Sequence, residues 1–151
     1  DEGFSGKLGS VVNVEELPCG GVPKKSIFMH PPWVGGTGYT FCETGPIKLP
    51  VKDCQFGSFV GLRDGGVESD GVVFGVLVLD GDAQVPICEQ HWKERKWHEV
   101  SGDLSAFAGK TIRLRLVADA GPRDNSTSDW ASWGEPRIVE KTPVIRVRIG
   151  D

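Results

Sequence analysis

The stretch IRLRLVADAGPRDNSTSDWASWGEPRI, from Ile112 to Ile138, decides the fold of this chain. Apolar residues at 112, 114 and 116 alternate with Arg113, Arg115 and Val117. This is the two-residue period of a strand with one buried face. The segment Asp119–Asp129 is then polar, rich in turn formers and too long for a hairpin turn. Trp130 and Trp133 close this segment. A long polar loop that carries aromatic residues between two strands predicts a β-sandwich with a binding surface built from loops.

The rest of the chain repeats short strand patterns separated by turn residues. Val72–Leu79 is almost continuously apolar, which predicts a central strand with Phe74, Val76 and Val78 on one face. No helix longer than two turns is indicated, so the sequence predicts an all-β, antiparallel β-sandwich of the jelly-roll type. At the two ends of the chain, the pattern predicts mostly irregular structure over residues 1–25, a short strand at Arg137–Val139, and a last strand at Val144–Ile149.

Composition excludes several classes of partner. The chain has 151 residues, which fits one domain over residues 1–151, and its 21 glycines and 10 prolines are spread throughout, as many short strands and turns require. The formal net charge of −4 gives no basic footprint for nucleic acid. No apolar run approaches the roughly 20 residues that cross a bilayer, so we expect no membrane partner. The only methionine is Met29, so we expect a piece of a longer protein.

The four cysteines are Cys19, Cys42, Cys54 and Cys88. None belongs to a CxxC pair, which disfavours a zinc site. Four cysteines allow three full disulfide pairings, and four reduced thiols filling small gaps in the core are an equal alternative. The sequence does not choose among these possibilities.

The sequence indicates binding and not catalysis. It contains no GxSxG, HExxH or Walker motif, and His30, His91 and His98 are far apart along the chain. Trp33 lies in a loop of prolines and glycines, where its indole could pack against the C–H face of a sugar ring or plug one end of the sandwich. For Trp130 we expect a structural role in the core, whereas Trp133 is as easily a ligand contact as a core residue.

Two loops collect charged side chains that suit hydroxyl groups. Arg63 and Asp64 lie in the turn before the central strand, and the segment 123–125 (Arg-Asp-Asn) lies in the long polar loop. Planar charged groups can bind two neighbouring hydroxyls at once, and carboxylates with loop carbonyls also suit Ca²⁺. The alternative is a solvated loop whose side chains bond to their own backbone.

The order of several short motifs resembles one known family. These motifs are His30 after a strand, Tyr39-Thr-Phe41, the VGLRD turn at 60–64, the VVFGVLVLDG hairpin at 72–81, and Asp129-Trp130-Ala131 before the last strand of the match. In this order they resemble the NPCBM-type carbohydrate-binding modules, galactose-binding-like jelly rolls attached to glycoside hydrolases. The resemblance covers residues 27–138, and residues 1–26 and 140–151 flank it. Arg63 departs from the family pattern, because an acidic residue usually stands there.

The resemblance implies a ligand site at one end of the sandwich and a structural calcium ion near the strand ends. The residues expected to bind the ligand are His30, Trp33, Arg63, Asp64, Arg123, Asp124, Asn125 and Trp133.

The function implied is that of a non-catalytic carbohydrate-binding module, secreted or at the cell surface. Such a module would hold a covalently linked carbohydrate-active enzyme near a polysaccharide or glycan. The alternatives are a spacer β-sandwich in a multidomain secreted enzyme and an adhesion domain with a protein ligand. An exposed Trp33 would favour the first of these, because a spacer has no reason to keep an indole in water.

Overall fold

The computed structural model describes residues 4–141, and this part of the chain contains eleven strands. The predicted strand Val144–Ile149 therefore lies outside the described residues. The one helical element in the described part is a single 3-10 turn, Ser105–Phe107. No helix within residues 4–141 is long and apolar enough to cross a membrane. The strands are β1 (Phe4–Ser5), β2 (Val11–Cys19), β3 (Val22–His30), β4 (Tyr39–Glu43), β5 (Ile47–Lys48), β6 (Cys54–Leu62), β7 (Val72–Asp80), β8 (Ala83–Trp92), β9 (His98–Asp103), β10 (Thr111–Asp119) and β11 (Ala131–Glu140).

These strands form two antiparallel sheets. The six-stranded sheet has the order β1-β2-β3-β11-β6-β9. The five-stranded sheet has the order β4-β10-β7-β8, with β5 also paired to β10. Neighbouring strands in each sheet are often distant in sequence, as in a jelly roll, and the predicted all-β antiparallel sandwich is confirmed.

The core lies between the two sheets and centres on β7. This strand pairs with β10 on one side and β8 on the other. Phe74, Val76 and Val78 point to the same face and are fully buried, as the apolar run predicted. Trp133 of β11 packs against Phe74 from the opposite sheet, with ring centroids 5.3 Å apart and planes at 84°. The edge-on geometry is the favourable arrangement for two aromatic rings.

The prediction of irregular structure over most of residues 1–25 is wrong. β2 and β3, of nine residues each, pair as a long antiparallel hairpin there. The tip of this hairpin folds over the outer face of the six-stranded sheet. Cys19 at the tip is buried on Gly61, where a Cβ atom would lie only 2.9 Å from the Cys19 sulfur. Trp97 donates its indole N–H to the carbonyl of Val22 at 2.7 Å. The outer face of this sheet is therefore partly covered by the chain itself.

The last strand of the described chain begins earlier than predicted. Its sequence hides this because Gly134 and Pro136 interrupt the strand pattern. In the structure β11 runs over the whole stretch, with an irregularity in its pairing to β6 between Gly134 and Arg137. Pro136 falls inside this irregularity, where its missing N–H does not break the hydrogen-bond ladder. As a result, the prediction of a short strand at Arg137–Val139 identified only one part of β11.

All four cysteines are free thiols. Of the two alternatives that the sequence left open, the structure has the reduced thiols, and none of the three disulfide pairings is formed. Burial raises the pKa of Cys19 to about 12 and that of Cys42 to about 11. Both thiols stay protonated at neutral pH and act as small apolar groups.

Candidate functional site

Trp33 lies on a rigid loop at one end of the sandwich. Its backbone N–H and that of Val34 both donate to the carbonyl of Leu8, at 2.9 and 3.0 Å. The preceding Pro31 and Pro32 are buried, which anchors the loop on the other side. The indole rests on Gly9, where a Cβ atom would lie 2.3 Å from Nε1, yet 61% of the residue stays exposed. The structure thus presents a large, fixed aromatic ring to solvent.

Tyr39 is a second exposed aromatic residue, at the far end of the loop that carries Trp33, and the sequence did not mark it as a site residue. It is 57% exposed at the start of β4. A shallow cavity of about 360 Å³ is lined by Ser10, Tyr39, Thr40 and Phe41. Ser10 directly follows Gly9, the residue on which the Trp33 indole rests. The period-two alternation of β4 places Tyr39 and Phe41 on one face. Only the packing of the sheets shows that this face points to solvent.

His30 joins these aromatic residues to the six-stranded sheet. The Thr40 hydroxyl donates to the His30 carbonyl at 2.9 Å, which ties the start of β4 to the end of β3. The His30 Nδ1 lies 2.6 Å from the carbonyl oxygen of Pro31. Because a carbonyl only accepts, Nδ1 carries the proton, and Nε2 is then the acceptor of the neutral ring.

Arg63 and Trp130 continue the same end of the sheet. Met29, Ala131 and Leu62 face one another across β3, β11 and β6. The next residues towards this end of the sheet, His30, Trp130 and Arg63, therefore lie side by side. The Arg63 backbone N–H donates to the Trp130 carbonyl at 2.8 Å. The structure therefore brings the predicted site residues His30 and Arg63 to one edge, with Trp130 between their strands.

Trp130 lies between two guanidinium groups. Those of Arg63 and Arg95 are 5.6 and 5.8 Å from its ring centroid, within the range of a cation–π contact. Trp130 is half-buried, so the expectation that its ring fills the core is wrong. This interpretation failed because the strand was expected to begin after both tryptophans.

Trp133 is the core residue of the pair, and the prediction that it contacts a ligand is wrong. It is fully buried between Phe56 and Phe74. Two-residue alternation in β11 turns Ala131 and Trp133 inward. A side chain sealed between the sheets has no surface to offer a glycan.

Asp64 also departs from its predicted role. Its two carboxylate oxygens accept the backbone N–H groups of Gly20 and Gly21, each at 2.8 Å. Both glycines have positive φ angles, 61° and 75°, so the carboxylate holds the tight tip of the β2–β3 hairpin. Asp64 therefore has a structural role, because both of its carboxylate oxygens are used by the hairpin tip.

The loop 123–125 lies beside a different cavity. Arg123, Asp124 and Asn125 are all exposed, and the Asn125 side chain accepts the Thr127 N–H at 3.1 Å. A cavity of about 600 Å³ opens next to Arg123, against the five-stranded sheet. Its polar and aromatic walls include Glu68, Asp70, His91, Trp92, Lys93 and Arg123. The predicted site is therefore divided between this cavity and the Trp33 surface.

A buried carboxylate lies behind this end of the sandwich. Asp129 is fully buried and accepts the Ser69 hydroxyl at 2.6 Å, while its Oδ2 has no partner among the described residues. Burial raises the pKa of Asp129 to about 7, and the nearby Asp70 and Asp119 carboxylates add to this rise. The Ser69 hydrogen bond acts in the opposite direction and only partly offsets it.

The expected calcium ion has no ready-made site here. Buried oxygens without partners on Asp70 and Asp129 have the chemistry that Ca²⁺ prefers. However, residues 4–141 contain no group of three or more His, Cys, Asp or Glu side chains arranged to hold a metal. Calcium therefore remains a prediction from the resemblance.

The chain was compared with known families and curated proteins. No known protein-family description matches it. An uncharacterized protein of Archaeoglobus fulgidus is 35% identical over 77 residues, which are 47% of this chain and 19% of that protein. The chain thus spans about a fifth of the length of this curated relative.

Solved structures supply the other comparison. One contains the M60 catalytic domain with the CBM51-1 and CBM51-2 domains of Clostridium perfringens ZmpB. It matches this chain with a TM-score of 0.52 and 18% identity, and the match covers 93% of this chain and 14% of that one. Another contains the CBM22-1 and GH10 modules of Clostridium thermocellum xylanase 10B complexed with xylohexaose: TM-score 0.52, 15% identity, 93% of this chain and 26% of that one. At these identities the likeness concerns the fold. The chain has the galactose-binding-like β-sandwich fold of carbohydrate-binding modules.

Proposed function

We propose that this chain binds carbohydrate without catalysing a reaction, through the end of the sandwich that carries Trp33. The observation that carries the proposal is an indole fixed by its loop and 61% exposed. A flat aromatic face buries the apolar C–H face of a pyranose, and neighbouring polar groups bond its hydroxyls. Because the backbone of the loop is already held by two hydrogen bonds to Leu8, binding needs to order little of it, which favours affinity.

The surroundings of Trp33 support a sugar more than another apolar partner. Tyr39 adds a second aromatic ring beside the shallow cavity, and its phenol can both donate and accept hydrogen bonds. The His30 ring adds a second hydrogen-bonding nitrogen, Nε2, because its Nδ1 bonds to the Pro31 carbonyl. A mixture of flat apolar faces and hydrogen-bonding groups is what a polyhydroxylated ring needs.

We extend the proposal to targeting of an attached enzyme. In both solved structures above, the similar module belongs to a chain with a catalytic domain, M60 in one and GH10 in the other. The xylanase structure was solved with a xylan fragment, xylohexaose. By analogy, this chain would hold a secreted or cell-surface carbohydrate-active enzyme near its polysaccharide.

The test is glycan binding by Trp33→Ala. Stacking on one ring is worth about 1–3 kcal/mol, so Trp33→Ala is expected to weaken glycan binding at least about tenfold. The melting temperature should move by less than about 2 °C, since substitutions of exposed side chains change stability little. The ligand is first identified on a glycan array, and the affinity is then measured by calorimetry.

Val51→Ala is the matched control. Val51 is 87% exposed and precedes β6, whose other end leads into Arg63. It therefore removes exposed apolar surface at the opposite end of the sandwich and should leave binding unchanged. If the wild-type protein binds no glycan, the spacer interpretation replaces this one. If Trp33→Ala and Val51→Ala bind equally well, glycans bind elsewhere on the molecule.

A further inference from the structure

We propose that the same surface selects glycans with an anionic substituent, a carboxylate or a sulfate, and that Arg63 is the residue that recognises it. The inference rests on the proposed function, because it assigns the ligand's charge to the surface that Trp33 begins. It is carried by Arg63, whose guanidinium has no anionic partner within residues 4–141.

Arg63 directly follows β6, whereas the arginines inside the described strands are paired with carboxylates. Arg113 and Arg115 both bind Glu43, at 2.9 and 2.5 Å. Arg137 binds Glu99 at 3.2 Å. Arg63 is half-buried, yet among the described residues its guanidinium forms no ion pair and no hydrogen bond. A guanidinium that the described residues leave without an anionic partner is available to an anionic ligand.

The carboxylate of the neighbouring Asp64 forms no ion pair with Arg63 within residues 4–141. Asp64 is committed to the backbone N–H groups of Gly20 and Gly21. Arg63 lies instead over two aromatic rings, 5.9 Å from the centroid of Phe28 and 5.6 Å from that of Trp130. These distances are at the outer end of the cation–π range, so the two rings keep the guanidinium near them while its N–H donors have no partner among the described residues. A guanidinium with free donors can bind a carboxylate or sulfate in a bidentate manner.

A second cation increases the positive charge at this point. The Arg95 guanidinium lies 5.8 Å from the same Trp130 ring and donates to the carbonyls of Arg63 and Val67. These carbonyls satisfy its donors without neutralising its charge. Two guanidinium groups therefore converge on one indole in a protein whose formal net charge is −4. The nearby Asp64 carboxylate offsets at most one of these two charges, and the remaining positive charge attracts an anion over short distances even though the whole protein is acidic.

The position of Arg63 fits an extended glycan. Strand pairing places the residues at this end in the order β2, β3, β11, β6. Trp33 is tied to Leu8 just before β2, His30 ends β3, Trp130 precedes β11, and Arg63 follows β6. An oligosaccharide with one sugar ring stacked on Trp33 can therefore place an anionic substituent of another sugar ring at Arg63.

The experiment uses a glycan array with matched pairs: uronic-acid glycans with their methyl esters, and sulfated glycans with their desulfated forms. Four proteins are compared, namely the wild type, Arg63→Gln, Arg63→Lys and Arg113→Gln. Arg113→Gln removes the same charge near the opposite end of the sandwich, where Arg115 still pairs with Glu43. Affinities for the bound pairs are then measured at low and high salt.

We expect the wild type to prefer the anionic member of each bound pair, and the preference to shrink at high salt. Arg63→Gln should weaken binding of the anionic glycan at least about tenfold and bring it close to that of the neutral form. Arg63→Lys should restore only part of the loss, because an ammonium group lacks the bidentate geometry. Arg113→Gln should bind like the wild type. Loss on esterification identifies a uronate, and loss on desulfation identifies a sulfate.

The results separate this inference from the proposed function. If the wild type binds glycans but does not distinguish the members of a pair, the anionic selectivity is wrong while carbohydrate binding stands. Equal affinities of Arg63→Gln and Arg113→Gln for an anionic glycan would likewise exclude Arg63. If no glycan binds at all, the proposed function itself fails and this inference falls with it.

Discussion

Replacing Trp133 with alanine is expected to lower the free energy of unfolding by about 5 kcal/mol. Truncation of a buried Phe or Trp to Ala costs about 3–5 kcal/mol, because the lost transfer energy is joined by a cavity. Trp133 should lie at the upper end of this range. It is fully buried and makes edge-on contacts with Phe56 at 6.1 Å and Phe74 at 5.3 Å. Each such contact adds about 0.5–1.5 kcal/mol beyond burial.

Two further variants sharpen this prediction. The indole Nε1 of Trp133 is buried without a hydrogen-bond partner among the described residues. Trp133→Phe removes that unsatisfied donor, so its cost should be well below that of Trp133→Ala, at about 1–2 kcal/mol. Trp130→Ala removes a half-buried ring and should cost about 1–2 kcal/mol. The two tryptophans, three residues apart, should thus differ severalfold in their contribution.

Urea unfolding followed by far-UV circular dichroism measures these differences. For a domain of this size, 5 kcal/mol corresponds to a drop of roughly 10–20 °C in melting temperature. A loss below about 2 kcal/mol for Trp133→Ala would refute the reasoning, since an emptied site of this size cannot be refilled without cost. A larger loss for Trp130→Ala than for Trp133→Ala would show that the strand parity is reversed.

Two further predictions concern carboxylates. Asp129 has a pKa of about 7 in the folded protein, above its ordinary value of 3.8, so the native state binds a proton that the unfolded state releases. Stability should therefore fall as the pH rises from about 4 to 7, by up to about 1.4 kcal/mol per pH unit. Asp129→Asn should flatten this slope in urea titrations at pH 5 and 8, and an unchanged slope would contradict the assignment. For Asp64→Ala, the loss of two hydrogen bonds to the hairpin tip, each 2.8 Å long, should cost about 1–2 kcal/mol. Faster amide exchange at Gly20 and Gly21 would locate this effect, and unchanged exchange would exclude it.

The pattern of side chains was enough to predict the central strand. Val72–Leu79 was predicted from its apolar run, and β7 spans Val72–Asp80. An apolar run this long can be satisfied only by burial on both faces or in the middle of a sheet, so local sequence carries the information. The loop around Trp33 was also within reach of the sequence, because Pro31 and Pro32 cannot donate to a hydrogen-bond ladder. The pattern left open whether the indole is exposed or plugs one end of the sandwich, and the structure shows that it is exposed.

The roles of Trp130 and Trp133 were decided by the tertiary structure. Which of two nearby residues faces inward depends on where the strand begins and on its register, since a shift of one residue exchanges the two faces. The interruption at Gly134 and Pro136 hid the start of β11, and only its pairing with β3 and β6 fixes the parity.

The sequence by itself determined the fold class, the central strand and the loop at Trp33, because each depends on short-range patterns of apolar, proline and glycine residues. The exposure of the Trp33 ring came from the tertiary structure. Only the tertiary structure separated Asp64 from Arg63. The two are adjacent in sequence, yet the carboxylate is held by a hairpin more than 40 residues earlier in the chain. The guanidinium is held by Phe28 and Trp130. Contacts between distant segments leave no trace in local composition, and they determine which charges at this end of the sandwich are free to meet a ligand.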